Sequence, residues 1–297
     1  MIKRFIKRSM CFVLVLCFFL VGCDNSYKLE DLSDDTSEKT TGDILVNAES
    51  ETPPGDIPVN AEPETPPEDI PVNAEPETPP LENKKRVALT FDDGPHNVRT
   101  REIVDELDKY GFTATFFVVG NRVNGGVYRG GETVKYVIDH GHEVGIHGYT
   151  HNVYYDRCTD DELEFEISET AKAINDQANN YQIRLMRPVV GYITDQRVQT
   201  SQYSIIMWNV DSEDYKHAYF PGTTLSEAEQ KERVDAIVEN VMSNVKDGSI
   251  ILMHDIYLST SHATAIILER LHAEGYEVVS VSELLGNTVP GTKYHCK

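Results

Sequence analysis

The sequence predicts an α/β domain over residues 85–286, a distorted or incomplete (β/α) barrel of about seven strands. Two observations predict it. From Lys85 onward, apolar runs alternate with amphipathic segments, the pattern of strands joined by helices. Polar and ionisable residues then recur where the apolar runs stop: Asp92–Asp93, His147, Arg187, Asp211 and His254. In parallel β/α folds the C-terminal strand ends are where chemistry is assembled.

The first run, Arg86-Val87-Ala88-Leu89-Thr90-Phe91, is apolar and β-prone, and Gly94-Pro95 stops it. The strands predicted are Val87–Phe91, Ala114–Val119, Glu143–His147, Ile183–Arg187, Ile205–Val210, Ser249–His254 and Glu277–Val281. The helices are Thr100–Lys109, Glu132–His140, Asp160–Gln177, Leu225–Val245 and Ala263–Ala273. Thr159 is placed to cap the third helix, and Thr224 or Ser226 the fourth. Residues 287–297 are left as a C-terminal tail.

Upstream of the domain, Lys3, Arg4, Lys7 and Arg8 precede an apolar stretch from Met10 to Gly22. At 13 residues it falls short of a bilayer span and reads as a secretory signal. Leu20-Val21-Gly22-Cys23 resembles the lipobox of bacterial lipoproteins, so Cys23 is the expected lipidation site. Residues 23–84 carry three tandem 13-residue units, Gly42–Pro54, Gly55–Pro67 and Glu68–Pro80, each containing Val-Asn-Ala-Glu and ending Thr-Pro-Pro. A unit so rich in Pro and Glu buries no face, and the segment is expected to be a disordered acidic spacer. At ~3.1 Å per residue, 39 such residues reach on the order of 120 Å when fully extended. The expectation is an extracytoplasmic lipoprotein held on a membrane by its N-terminal lipid.

The net charge is −22, of which residues 1–22 contribute +4 and residues 23–84 contribute −14, leaving −12 for residues 85–297. An acidic domain argues against nucleic acid and polyanionic substrates, while a neutral glycan is compatible. Of five cysteines, Cys11 and Cys17 leave with the signal and Cys23 takes the lipid. Cys158 and Cys296 remain, either paired or as two free thiols.

Adjacent carboxylates resist joint ionisation unless a cation or a proton separates their roles. Asp92–Asp93 therefore suggests one proton-transfer group and one metal ligand, although Asp-Asp-Gly-Pro is also an ordinary turn. His147 and His151 stand four apart after a strand, where they either share one face and bind one metal or form a solvated pair. With Asp93 they make a 2-His-1-carboxylate set, for which zinc is the default and cobalt or another divalent ion an alternative. Ile250-Ile251-Leu252-Met253 brings a buried strand to an abrupt His254, and a His opposite a metal with a carboxylate beside it is a good general acid.

Thr90-Phe91-Asp92-Asp93-Gly94-Pro95, His147-x-x-x-His151, Arg187-Pro188-x-x-Gly191, Asp211-x-x-Asp214 and Leu252-x-His254 follow one another in an order that resembles the NodB-homology polysaccharide deacetylases. Thr113–Val118 and Gly141–Ile146 agree with it, and the resemblance covers residues 85–286. It implies that Asp93, His147 and His151 bind the metal, that Asp92 is the general base, and that Arg187 orients it. It implies His254 as general acid with Asp211 fixing its ring, the Val190 N–H as oxyanion donor, and Leu252 as a wall of the acetyl slot. The chain departs from the family at Gly148, usually Ser or Thr, at Val189 and Val190, and at Tyr215, where Trp is common. The change at Gly148 loses a hydroxyl contact near the metal, and those at Val189, Val190 and Tyr215 fall around the substrate, bearing on specificity more than on the chemistry.

The resemblance therefore implies a metal-dependent enzyme removing N-acetyl groups from a GlcNAc polymer, with peptidoglycan first. Two alternatives stand beside it: an O-acetyl esterase using the same site, and a non-catalytic surface glycan-binding module. The expected partners are an acetylated glycan and a membrane, with no nucleic acid, and the chain is expected to be a monomer.

Overall fold

A computed structural model describes residues 84–297 apart from 126–128 and 180. The signal, Cys23 and the repeats lie outside the described residues. Among those described, no helix is long and apolar enough to cross a membrane.

The strands are β1 (Lys85–Asp92), β2 (Thr115–Val118), β3 (Glu143–Ile146), β4 (Leu185–Met186), β5 (Ser204–Ile206), β6 (Val210–Asp211), β7 (Ile250–His254), β8 (Tyr276–Val278) and β9 (Lys293–Tyr294). They form one sheet in the order β6-β7-β1-β2-β3-β4-β5-β9, with β8 on the first half of β1. Every strand pair is parallel. The helices are α1 (Arg99–Asp108), α2 (Gly120–Asn124), α3 (Gly130–Asp139), α4 (Asp160–Gln177), α5 (Asp195–Thr200), α6 (Glu227–Met242), α7 (Leu258–Ala273) and α8 (Val281–Leu285). The fold is the incomplete parallel barrel expected.

The strand period of two sorts every strand into two faces. Val87, Leu89 and Phe91 of β1 belong to the large core shared with the helices, together with Ile103, Leu107, Ile267 and Leu268. Ala88 joins Phe117, Leu185, Ile206 and Ile250 in a second cluster inside the curl, closed from below by Val281 and Leu284 of α8. Extending that inner parity along each strand reaches Asp92 from Ala88, His147 from Gly145, Arg187 from Leu185 and His254 from Ile250. The alternation that builds the core thus aims the ionisable residues into one mouth.

The predicted strand Ile205–Val210 is two strands. β5 pairs with β4, β6 pairs with β7, and residues 207–209 carry the chain from one margin of the sheet to the other. Asn209 makes the switch, its N–H donating to Ile250 O at 3.1 Å and its Oδ1 accepting from Ile250 N at 2.8 Å. The tail also joins the sheet, since β9 pairs with β5. Both long capped helices start where a side chain can hold the first turn. Thr159 and Ser226 each form a capping box, with Glu162 and Glu229 respectively, so Ser226 and not Thr224 opens the fourth predicted helix. Cys158 and Cys296 are free thiols.

Candidate active site

β1 delivers Asp92 to the mouth, and Asp93 then leaves the sheet in a left-handed conformation, φ 72°. Gly94 follows because the Asp255 carboxylate lies against its backbone: a β-carbon there would stand 2.3 Å from Asp255 Oδ2. Asp255 is buried with Oδ1 unpartnered, and burial pushes its carboxyl up to about 7 despite the hydrogen bond from Thr100.

Arg187 is wholly buried and spends its donors on one task. Nη1 donates to Asp92 Oδ1 and to Thr90 Oγ1, each at 2.8 Å. Nε donates to Ile206 O at 3.0 Å and Nη2 to Met207 O at 3.1 Å. The Phe117 ring lies beneath the guanidinium, 4.4 Å from its centroid. Burial pulls the guanidinium pKa down while Asp92 opposes that, and arginine stays charged.

Asp93 Oδ1 lies 2.9 Å from His151 Nε2 and 3.4 Å from His147 Nε2. One ligand atom from each of the three residues falls within 4.8 Å of the others. His147 Nδ1 is 2.8 Å from Arg187 O, a contact that requires the proton on Nδ1 and leaves Nε2 for a ligand bond. Burial raises the Asp93 pKa, but the hydrogen bonds and charges of His147 and His151 outweigh it and hold the carboxyl well below its usual range. Two imidazole nitrogens and one carboxylate oxygen fit Zn²⁺ or a similar divalent ion and leave positions open for water and substrate.

His254 sits beside Asp92 in register on β7. Its partner is Asp214. The His254 Nδ1 lies 2.7 Å from Asp214 Oδ1, while Asp214 Oδ2 accepts from His254 N and Thr260 Oγ1, both at 2.7 Å. Burial favours the neutral ring, yet Asp214 more than offsets it, with help from Asp93 and Asp92, and the His254 pKa is pushed up to about 9. This corrects the assignment of Asp211. Asp211 Oδ1 instead accepts from Glu213 N at 2.8 Å, closing a turn in which Glu213 takes φ 54°. That turn swings the next residue, Asp214, wholly out of solvent and onto the imidazole.

Around this centre, Val190 is exposed with φ 50° and ψ 17°. Trp208 packs where Gly191 lacks a side chain, so a β-carbon there would meet the ring at 2.9 Å. Tyr215 is half-exposed and edge-on to His254 at 6.1 Å, and Tyr257 faces the same imidazole at 6.0 Å. Leu252 lies two residues before His254 on the same face of β7. Of the five non-glycine residues with positive φ among those described, four are Asp93, His151, Val190 and Glu213. Backbone strain of this kind costs on the order of 1–3 kcal/mol per residue, and here it is gathered in one place.

A family profile described as "Polysaccharide deacetylase" matches residues 81–204. The peptidoglycan-N-acetylglucosamine deacetylase of Bacillus cereus is 36% identical over 211 residues, spanning 68% of this chain and 89% of that protein. The chain belongs to the polysaccharide deacetylase family. Its match to the peptidoglycan-N-acetylglucosamine deacetylase PgdA of Listeria monocytogenes is 34% identical over 73% of this chain, but covers 42% of that longer protein. The peptidoglycan-N-acetylmuramic acid deacetylase PdaC of Bacillus subtilis is 35% identical over 68% of this chain and 39% of that protein. The solved structure of PdaC superposes with a TM-score of 0.59 at 35% identity, covering 68% of this chain and 91% of that one.

In this member of the polysaccharide deacetylase family, Asp92, Asp93, His147, His151, Arg187 and His254 stand in one mouth. Several residues that shape this mouth were missed by sequence reasoning. Thr90 shares Arg187 with Asp92, Thr260 steadies Asp214, and Tyr257 packs beside His254. Thr90 carries a readable signal, a hydroxyl on the inner parity of β1. Asp214 stands in the same Asp-x-x-Asp motif as Asp211, and spacing alone does not choose between them.

Proposed function

We propose that this chain is a metal-dependent hydrolase that removes N-acetyl groups from a GlcNAc-containing glycan, with peptidoglycan as the first substrate. One observation carries the reading. Asp92 and His254 stand in register on adjacent strands, each held by its own buried partner, beside the Asp93–His147–His151 ligand set.

A divalent ion on Asp93, His147 and His151, zinc by the donor set, would supply an acidified water as nucleophile and a charge that polarises the acetamide carbonyl. Asp92 takes the proton of the attacking water, aimed by its 2.8 Å contact with Arg187 Nη1. The Val190 N–H, presented by its left-handed turn, donates to the oxyanion as it develops. His254, charged below about pH 9 and oriented by Asp214, gives its proton to the departing nitrogen. Leu252 walls the space for the acetyl methyl, and Tyr215 offers a ring to the adjoining sugar. The products are acetate and a free amino sugar.

The names of the three relatives favour peptidoglycan over other acetylated glycans. The signal, the lipobox and the Pro-rich repeats fit an extracytoplasmic lipoprotein working against a cell wall, with Cys23 carrying the lipid. The test is acetate release by the purified chain, stripped of metal and then reloaded with zinc or cobalt. Peptidoglycan, chitopentaose and acetylated xylan serve as parallel substrates. Metal-dependent release from a GlcNAc polymer is expected. Release from xylan alone would make the enzyme an esterase, and silence on all three with metal bound would leave a glycan-binding module.

A further inference from the structure

α4 buries Glu166, Thr170, Ala173 and Ile174, spaced as one helical face turned to the core. Helical period asks for an apolar residue at 166, yet a carboxylate stands there, 1% exposed. A buried carboxylate is stable only when donors meet it. Here they come from a single loop, 148–150, in the middle of the His147-x-x-x-His151 ligand motif. Glu166 Oε2 accepts from Tyr149 N at 2.5 Å and from Thr150 N at 2.8 Å, and Oε1 accepts from Thr150 Oγ1 at 2.5 Å. Thr150 Oγ1 in turn accepts from Asn152 N at 3.2 Å, so the residues on both sides of His151 are fixed. From the other side, the N–H groups of Gly120 and Asn121 at the start of α2 donate to the carbonyls of Gly148 and Tyr149, both at 2.9 Å.

The loop has little room to choose another shape. Gly148 has φ 86°, and a β-carbon there would stand 2.7 Å from the Tyr155 hydroxyl and 3.0 Å from Glu166 Oε2. The Tyr155 hydroxyl is buried with no hydrogen-bond partner and fills the space a side chain at 148 would need. We propose that Glu166 is a positioning residue for the metal site: through the 148–150 backbone it sets the separation at which His147 and His151 present their imidazoles. The inference rests on the metal-dependent reading above. Glu166 touches neither ligand nor substrate, and acts only through the loop.

Glu166→Leu puts an apolar side chain of similar volume on the buried face but removes every acceptor that the Tyr149 and Thr150 donors use. Zinc affinity is measured on the metal-free full chain by competition with a chromophoric chelator, alongside the visible spectrum of the cobalt form. The expected result is a zinc Kd weakened by about 10- to 100-fold, the range seen when a group supporting a metal ligand is lost, together with an altered cobalt spectrum. A lowered metal-free Tm with wild-type zinc affinity and cobalt spectrum would mean a merely structural role and overturn the proposal. If Glu166→Leu does not fold, Thr150→Val decides: it removes one of the three contacts and should weaken zinc binding, and unchanged affinity overturns the proposal. Failure of the wild-type chain to bind zinc or cobalt would remove the metal reading itself and this inference with it. A wild type that binds metal beside an unaffected variant removes only the inference.

Discussion

Arg187 reaches across two intervening strands to place Nη1 2.8 Å from Asp92 Oδ1, with both side chains essentially out of solvent. The contact is an ion pair spanning the inside of the curl rather than a neighbourly pairing along the sheet. Removing one partner of such a pair leaves a buried charge without compensation. Arg187→Met is expected to cost about 3–5 kcal/mol, read from denaturant unfolding of the metal-free chain, and to abolish acetate release. Arg187→Lys should rescue neither fully, because an ammonium cannot satisfy Thr90, Asp92, Ile206 and Met207 together.

Base and ligand should separate by mutation. Asp92→Asn is expected to lower acetate release by about 10²- to 10⁴-fold, the scale of a lost general base, with zinc still bound. His151→Ala should lose zinc and activity together. A near-normal rate in Asp92→Asn would refute the base assignment.

The acid should show itself in the pH profile. His254 is pushed up to about 9, so its proton is present through neutrality and the alkaline limb of kcat/KM should fall near pH 9. The folded value lies above the ordinary histidine range, so the stabilisation from Asp214 is complete below about pH 6.5 and is lost as pH rises through about 9. Asp214→Asn should move the alkaline limb to lower pH and remove the Tm advantage at pH 6. Asp211→Asn should leave the limb in place, and a shift there instead would restore Asp211 as the partner.

Tethering is tested in cells that carry the full chain. Cys23→Ala is expected to shift the protein from the membrane fraction to the medium, and retention in the membrane fraction would count against lipid attachment at that residue.

Much of the site was legible because strand parity and strand ends are written in one short-range pattern. Asp92, His147, Arg187 and His254 each close an apolar run, and the run that buries a strand also fixes which way its last residue points. The start of α4 is legible to the residue because Thr159 and Glu162 cap it locally. What escaped depends on contacts distant in sequence. Ile205–Val210 reads as one strand, because nothing local says that Asn209 will borrow Ile250 as a partner on the opposite margin. Asp214 was passed over for Asp211 because the deciding feature is a left-handed Glu213, which sequence does not mark. Glu166 hid among the many acids of an exposed-looking helix, visible only once the face beneath it is known.

The final residues carry one more consequence. Thr292 O accepts from Ile205 N at 2.8 Å and Tyr294 O from Met207 N at 2.7 Å, while the Met207 carbonyl in turn receives Arg187 Nη2. A protein stopped at 286, where the predicted domain ends, would leave Ile205 N–H buried and bare, and would offer β5 as an open edge to any passing strand. It would also loosen the peptide on which Arg187 leans. Trimming what looks like a dispensable tail would thus be felt, two hydrogen-bonded steps later, at Asp92.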